Sequence, residues 1–216
     1  MKGVQLRSFL VILPLLAGMS CTQESASSAP TNTMTTPPPV AATATPPVAN
    51  VAAKKELDVP YVPTHQMIVD EMLSMAEVKG NDILYDLGSG DGRIPITAAQ
   101  RFGTRGVGID LNPERIKEAN ENAAKAKVTD KVKFIEGDLF DQDFSEATVV
   151  TLYLLPDVNI KLRPKILAMK PGTRVVSHNY HMGDWAAEKT KTLKTPDGVE
   201  HYIYFWRVPE HKTGSE

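Results

Sequence analysis

The chain has 216 residues, with 24 Lys+Arg against 26 Asp+Glu, 42% hydrophobic residues and one cysteine. That length suits one domain with extensions and is too short for two ordinary domains. A formal charge of −2 lacks the basic excess of a nucleic-acid binder, and a lone cysteine excludes an intramolecular disulfide framework or a cysteine-based zinc site.

Residues 1–20 read as an export signal: Lys2 and Arg7 form a basic head, followed by an apolar run over 9–18 and then small or polar residues. The run is half the roughly 20 residues that span a bilayer, so a permanent transmembrane helix is not expected. Cys21 follows directly, an arrangement that resembles a bacterial lipoprotein signal with a lipidated cysteine, although Gly18 stands where such signals carry leucine. Simple secretion with cleavage nearby is the alternative. Residues 21–53 are Ser-, Thr-, Pro- and Ala-rich and carry no charge from Ser25 to Ala53, so a tether without a core is expected. Loss of residues 1–20 removes Lys2 and Arg7 and leaves a formal charge of −4.

From residue 54 to 216, strands and helices alternate. Thr64 is a candidate N-cap for a helix with Ile68, Met72 and Met75 at helical spacing. Residues 83–87 predict a buried strand that ends in glycines, and a helix over 94–102 tolerates Pro95 in its first turn. A second strand is expected at 106–110. Asn112 and Pro113 then supply the cap and first position of a helix with Ile116, Ala119, Ala123 and Ala126 on one face. Further strands are expected at 132–136, 148–154 and 173–177. The last two are joined by a crossover helix over 159–169 that Pro164 should break or delay. A turn at 196–198 and a strand at 201–208 predict a closing antiparallel hairpin. This is an α/β pattern: a doubly wound, mostly parallel, Rossmann-like sheet with its ligand beyond the carboxyl ends of the strands.

The first strand runs into Asp86, Gly88, Ser89, Gly90 and Gly92, with glycines at alternate positions. A dinucleotide fingerprint needs a further glycine where Arg93 stands, and no Walker-type lysine follows, so a phosphate cradle is disfavoured. The loop resembles motif I of the class I S-adenosylmethionine-dependent methyltransferases. That ligand carries a sulfonium and an ammonium and no phosphate, so the acids at the strand ends suit it. The resemblance implies that Asp86 faces the amino-acid end of S-adenosylmethionine and that Gly88, Ser89, Gly90 and Gly92 let the backbone approach. It implies that Asp110 accepts from the ribose hydroxyls. Asp138 would accept from the adenine amino group, with the Leu139 amide on a ring nitrogen.

Residues 59–64 and 85–94 also resemble the mitochondrial lysine methyltransferases of the ATP synthase c-subunit and the adenine nucleotide translocase, with their bacterial relatives. The similarity runs over roughly residues 58–179 and implies a protein acceptor, with no nucleic acid. No Asn/Asp-Pro-Pro-aromatic tetrad of base methyltransferases follows the fourth strand. Tyr153 is instead a candidate to align the amine and Asp157 to receive its proton through water; strand packing and helix capping are their bland alternatives. Tyr61 and Thr64 are candidates for a lid, and His178 and His181 for a wall of the acceptor pocket. His178, His181 and Asp184 could space a metal, but packing is the favoured reading and no metal is expected. The functional expectation is an exported, lipid-anchored methyltransferase acting on protein lysine. A methyltransferase for a small molecule or envelope component, or a nucleoside-binding lipoprotein without turnover, are its alternatives.

Overall fold

The computed structural model describes residues 61–210. The export signal, Cys21, the tether and the start of the domain at residues 54–60 lie outside the described residues.

Eleven elements follow one another: α1 Gln66–Met75, β1 Ile83–Leu87, α2 Arg93–Phe102, β2 Arg105–Asp110, α3 Pro113–Ala126, β3 Val132–Glu136, β4 Val149–Leu152, α4 Pro156–Leu167, β5 Arg174–His178, β6 Lys189–Lys194 and β7 Glu200–Arg207. The sheet order is β3-β2-β1-β4-β5-β7-β6. The first five of these strands are parallel, whereas β7 runs antiparallel to both β5 and β6. Strand order reverses between β1 and β4, so loops leaving these two strands diverge and open a crevice.

Alternation along each strand explains why both faces are covered. Tyr85, Val150, Val175 and Trp206 point to one face with Leu162 and Ile166 of α4, whereas Leu84, Val149, Val176 and Phe205 point to the other with Ile68 and Met72 of α1. A third cluster joins α2 to α3 through Ile96, Ala99, Ala119, Ala123 and Phe134. The edge strand β6 carries exposed Lys189, Lys191 and Lys194, which oppose pairing with a further chain.

Three local expectations are corrected. The first helix is capped by His65, whose side chain accepts from the Met67 amide, while Thr64 is buried and turned inward. The fourth strand stops at Leu152 rather than 154. The crossover helix starts early, at Pro156, and passes through Pro164 without a break. An interior proline costs about 3 kcal/mol, but Leu162 and Ile166 are fully buried and each contributes about 1.5–3 kcal/mol, enough to hold the helix.

Candidate active site

A cleft of about 970 Å³ opens over the carboxyl ends of β1, β2, β3 and β4. Its floor is the turn from β1 into α2. The amides of Gly88 and Ser89 both donate to the Ile109 carbonyl, at 2.8 and 2.9 Å, which ties this turn to β2. Gly90 has φ +51°, and a Cβ there would lie 2.5 Å from the Tyr61 ring, so only glycine admits this close approach. The Ser89 hydroxyl is buried without a hydrogen-bond partner.

Four carboxylates surround the floor. Asp110 accepts from the Gly90 amide at 2.8 Å through Oδ2 and from the Asn112 amide at 2.9 Å through Oδ1, so it joins the first two loops. Each oxygen keeps a second lone pair. Asp138 accepts from the Phe140 amide at 2.9 Å, and this turn brings Leu139 to the cleft wall. Asp86 is 3% exposed and accepts from the Thr151 hydroxyl at 2.6 Å. Burial pushes its pKa up to about 7; the Thr151 hydrogen bond opposes this, and Asp110 and Asp91 add to it.

Asp91 is engaged by Arg93, whose Nη2 lies 2.6 Å from its Oδ2. Arg93 Nη1 also donates to the Thr64 carbonyl at 2.6 Å. The residue that marks the missing third glycine therefore fastens the segment before α1 across the cleft. Tyr61 lies on that segment, and the Arg115 guanidinium sits 4.6 Å from its ring centroid. Neither arginine was legible as a brace, because the groups they hold, the Thr64 carbonyl and the Tyr61 ring, are distant in sequence.

The exit of β4 brings Tyr153 to the cleft. Its ring lies 3.9 Å from that of His178 and 6.3 Å from that of Tyr180. Burial raises its pKa, Tyr180 adds to this, and a hydrogen bond with Asn179 opposes it. His178 stands behind Tyr153 and does not line the cleft. Asp157 is exposed at the start of α4 and lies outside the cleft lining. His181 is exposed and accepts from the Gly183 amide at 3.0 Å. Asp184 pairs with Arg163. The three residues with metal-like spacing thus face separate partners, and among the described residues no three His, Cys, Asp or Glu side chains gather into a metal site.

A family model described as the ANTKMT methyltransferase domain matches residues 86–189. A protein-lysine N-methyltransferase of Saccharolobus islandicus is 47% identical over 157 residues, which are 71% of this chain and 96% of that protein. The lysine N-methyltransferase of the ATP synthase c-subunit from Mus musculus is 30% identical, over 68% of this chain; the match spans 58% of the mouse protein. Among solved structures, an RNA methyltransferase from Salinibacter ruber in complex with S-adenosyl-L-homocysteine is 52% identical, with a TM-score of 0.66, covering 72% of this chain and 98% of that one. Fold, cleft and similarity define a class I S-adenosylmethionine-dependent methyltransferase. Within that class the chain belongs to the ANTKMT methyltransferase family.

Proposed function

We propose that this methyltransferase modifies lysine amines of a protein, and that the cleft residues described above hold its cofactor. The observation that carries the acceptor is the charge of the cleft. Asp86, Asp91, Asp110 and Asp138 border it, and its two bases, Arg93 and Arg115, are paired with Asp91 and Glu118. With those acids committed to the cofactor or to Arg93, and both bases paired, the cleft lining among the described residues offers no free cation to a phosphate backbone. The described residues carry 19 Lys+Arg against 22 Asp+Glu, so no basic surplus compensates elsewhere. The archaeal relative is a protein-lysine N-methyltransferase, which supports lysine. The Salinibacter relative is an RNA methyltransferase, and an RNA acceptor is therefore an arm of the test.

The residues fit the cofactor. Gly88 and Gly90 leave room that a Cβ would fill, the Ser89 hydroxyl is buried and unpartnered, and the acids suit the ligand's sulfonium and ammonium groups. In this reading Asp86 serves the amino-acid end, Asp110 the ribose hydroxyls, and Asp138 with the Leu139 amide the adenine. Gly92 turns the chain into α2, and Tyr61 with Thr64 covers the ligand. When bound, S-adenosylmethionine supplies an electrophilic methyl group. The protein's own work is alignment of the amine, for which Tyr153 is suited, and exclusion of water by the Tyr61 segment. Asp157 and His181 have no part in it.

Incubation of the full chain with cell extract and methyl-labelled cofactor is expected to give acid-stable methyl-lysine in protein. Label recovered only in RNA or in small molecules overturns the lysine acceptor. Asp110→Asn is expected to weaken cofactor binding about 10- to 100-fold, from the loss of charge-assisted hydrogen bonds. Because Asp110 also holds the Gly90 and Asn112 amides, the same variant should lose some thermal stability. Unchanged affinity in calorimetry contradicts this role.

We also assign the enzyme to the cell envelope, anchored through lipid at Cys21, on the basic head, apolar run and cysteine of the sequence. Cys21→Ser is expected to move the protein from the membrane to the soluble fraction. Continued membrane retention overturns the anchor.

A further inference from the structure

Behind Tyr153 lies a row of three side chains whose contacts with one another cofactor binding does not require. Thr64 Oγ1 is 3.3 Å from His178 Nδ1, and His178 Nε2 is 2.8 Å from His201 Nδ1. They come from three separate places: the segment before α1, the end of β5 and the start of β7. Thr64 borders the cleft, His178 is 1% exposed, and His201 is half-buried. The row therefore leads from the cleft, through the interior, toward solvent. An apolar side chain would fill the middle position without the cost of burying an imidazole. Instead both ring nitrogens of His178 have partners, in an order that can pass a proton.

We propose that Thr64, His178 and His201 form a relay that carries the proton of the acceptor's ammonium from the cleft to solvent. This rests on the amine acceptor argued above. A lysine attacks only when neutral, and one proton must leave per methyl transferred. The ammonium N–H bond breaks as its proton passes to Thr64 Oγ1, while the hydroxyl's own proton passes to His178 Nδ1. The proton on His178 Nε2 then moves to His201 Nδ1, and His201 releases its Nε2 proton to water. One proton enters and one leaves, and no electron pair is gained or lost by the chain. His178 and His201 end in their alternate tautomers and reset before the next turnover.

The surroundings of His178 suit a carrier rather than a base. Burial, and then His201 beside it, push its pKa down to about 3, so it stays neutral and passes protons without storing one. The titratable groups facing it are Tyr153 from the β4 exit, with Tyr180 stacked beyond, and His201 from β7. On the solvent side, His201 faces the charge of Asp197 on the β6–β7 turn. Arg93 holds the Thr64 backbone at 2.6 Å, fixing the entry of the row. His178 and His201 are positioning residues in this scheme, since neither touches the reacting atoms.

Two measurements on the full chain test the relay. Side-chain ¹⁵N NMR is expected to show His178 neutral between about pH 5.5 and 8.5, with its proton on Nε2. A proton resting on Nδ1, or titration of His178 in that range, overturns the relay without reference to any acceptor. Kinetics with protein lysines of a cell extract form the second arm. His201→Ala is expected to lower kcat about 100-fold near pH 7, with the KM for cofactor unchanged. The lost rate should return with added imidazole and with rising pH. His178→Phe keeps an aromatic ring against Tyr153 and should show the same pH dependence without imidazole rescue. A His201→Ala defect that imidazole and pH leave unmoved marks a structural role and overturns the relay. A wild-type enzyme that labels lysine while His201→Ala keeps full rate overturns the relay alone; one that labels no lysine overturns the amine reading and the relay with it.

Discussion

Asp86→Asn is expected to stabilise the unliganded protein at neutral and alkaline pH while weakening its hold on S-adenosylmethionine. The carboxyl is buried at the end of β1, and its pKa is pushed up to about 7, by burial first and by Asp110 and Asp91 against the Thr151 hydrogen bond. In the unfolded chain the same group titrates near 3.9. A group whose pKa is raised on folding contributes stability that is full below the unfolded value and is lost as pH climbs through the folded one. Above about pH 7, therefore, the native protein carries an uncompensated buried charge. Asparagine removes that charge and still accepts from the Thr151 hydroxyl through Oδ1. The gain at about pH 8 is on the order of 2–4 kcal/mol, for a shift of roughly three units, and it vanishes below about pH 4.

The cofactor reverses the sign. Its positive charge favours the ionised carboxylate, so binding should expel a proton from Asp86 in the wild type between about pH 6 and 7, and affinity should rise across that window. In Asp86→Asn the affinity should be lower and flat with pH. Thermal melts across the pH range, with calorimetry in buffers of different ionisation heat, measure both effects. A variant destabilised equally at every pH contradicts the account.

Arg174→Met is expected to cost about 3 kcal/mol of stability, toward the low end of the penalty for leaving a buried carboxylate without its counter-ion. Arg174 enters β5 and pairs with Asp82, and its Nη1 donates to the carbonyls of Ala76 and Glu77, at 2.9 Å each, just past the end of α1. Asp82 also accepts from the Thr148 hydroxyl and the Lys79 amide, both at 2.7 Å. Burial acts to raise the Asp82 pKa, but Thr148, Lys79 and Arg174 outweigh it, and the carboxyl stays below its ordinary value. With a depressed folded pKa, this contribution is present above about pH 3.9 and is lost as pH falls through the folded value. The cluster sits at the amino ends of the strands, away from the cleft. Denaturant melts should therefore show the loss, while cofactor affinity of the folded protein is unchanged. A variant that binds cofactor poorly while keeping its midpoint would contradict this separation.

Much of the architecture is legible along the chain, because the forces that set it act over a few residues. Alternating apolar runs and helical periodicity define β1, α2, β2, α3 and β3, with Asn112 and Pro113 starting α3 as expected. The glycines after β1 mark a turn that needs positive φ, and the acids at successive strand ends mark a site for a cation. Departures fall where distant burial overrides local preference. Pro164 continues a helix because Leu162 and Ile166 are held in the core, and Thr64 turns inward to His178 while His65 takes the cap.

The local sequence by itself determined the element pattern, the glycine turn and the carboxylates that follow β1, β2 and β3. Only the tertiary structure decided which of the remaining polar residues work together. Parallel pairing of β4 with β5 and antiparallel pairing of β5 with β7 bring Tyr153, His178 and His201 to one end of the sheet, and Thr64 reaches them from 114 positions before His178. Strand order likewise leaves Asp157 exposed, beside a cleft it does not line. Neighbours in sequence are set by short-range torsions and caps, whereas neighbours across a sheet are set by burial of whole faces, which no single segment encodes.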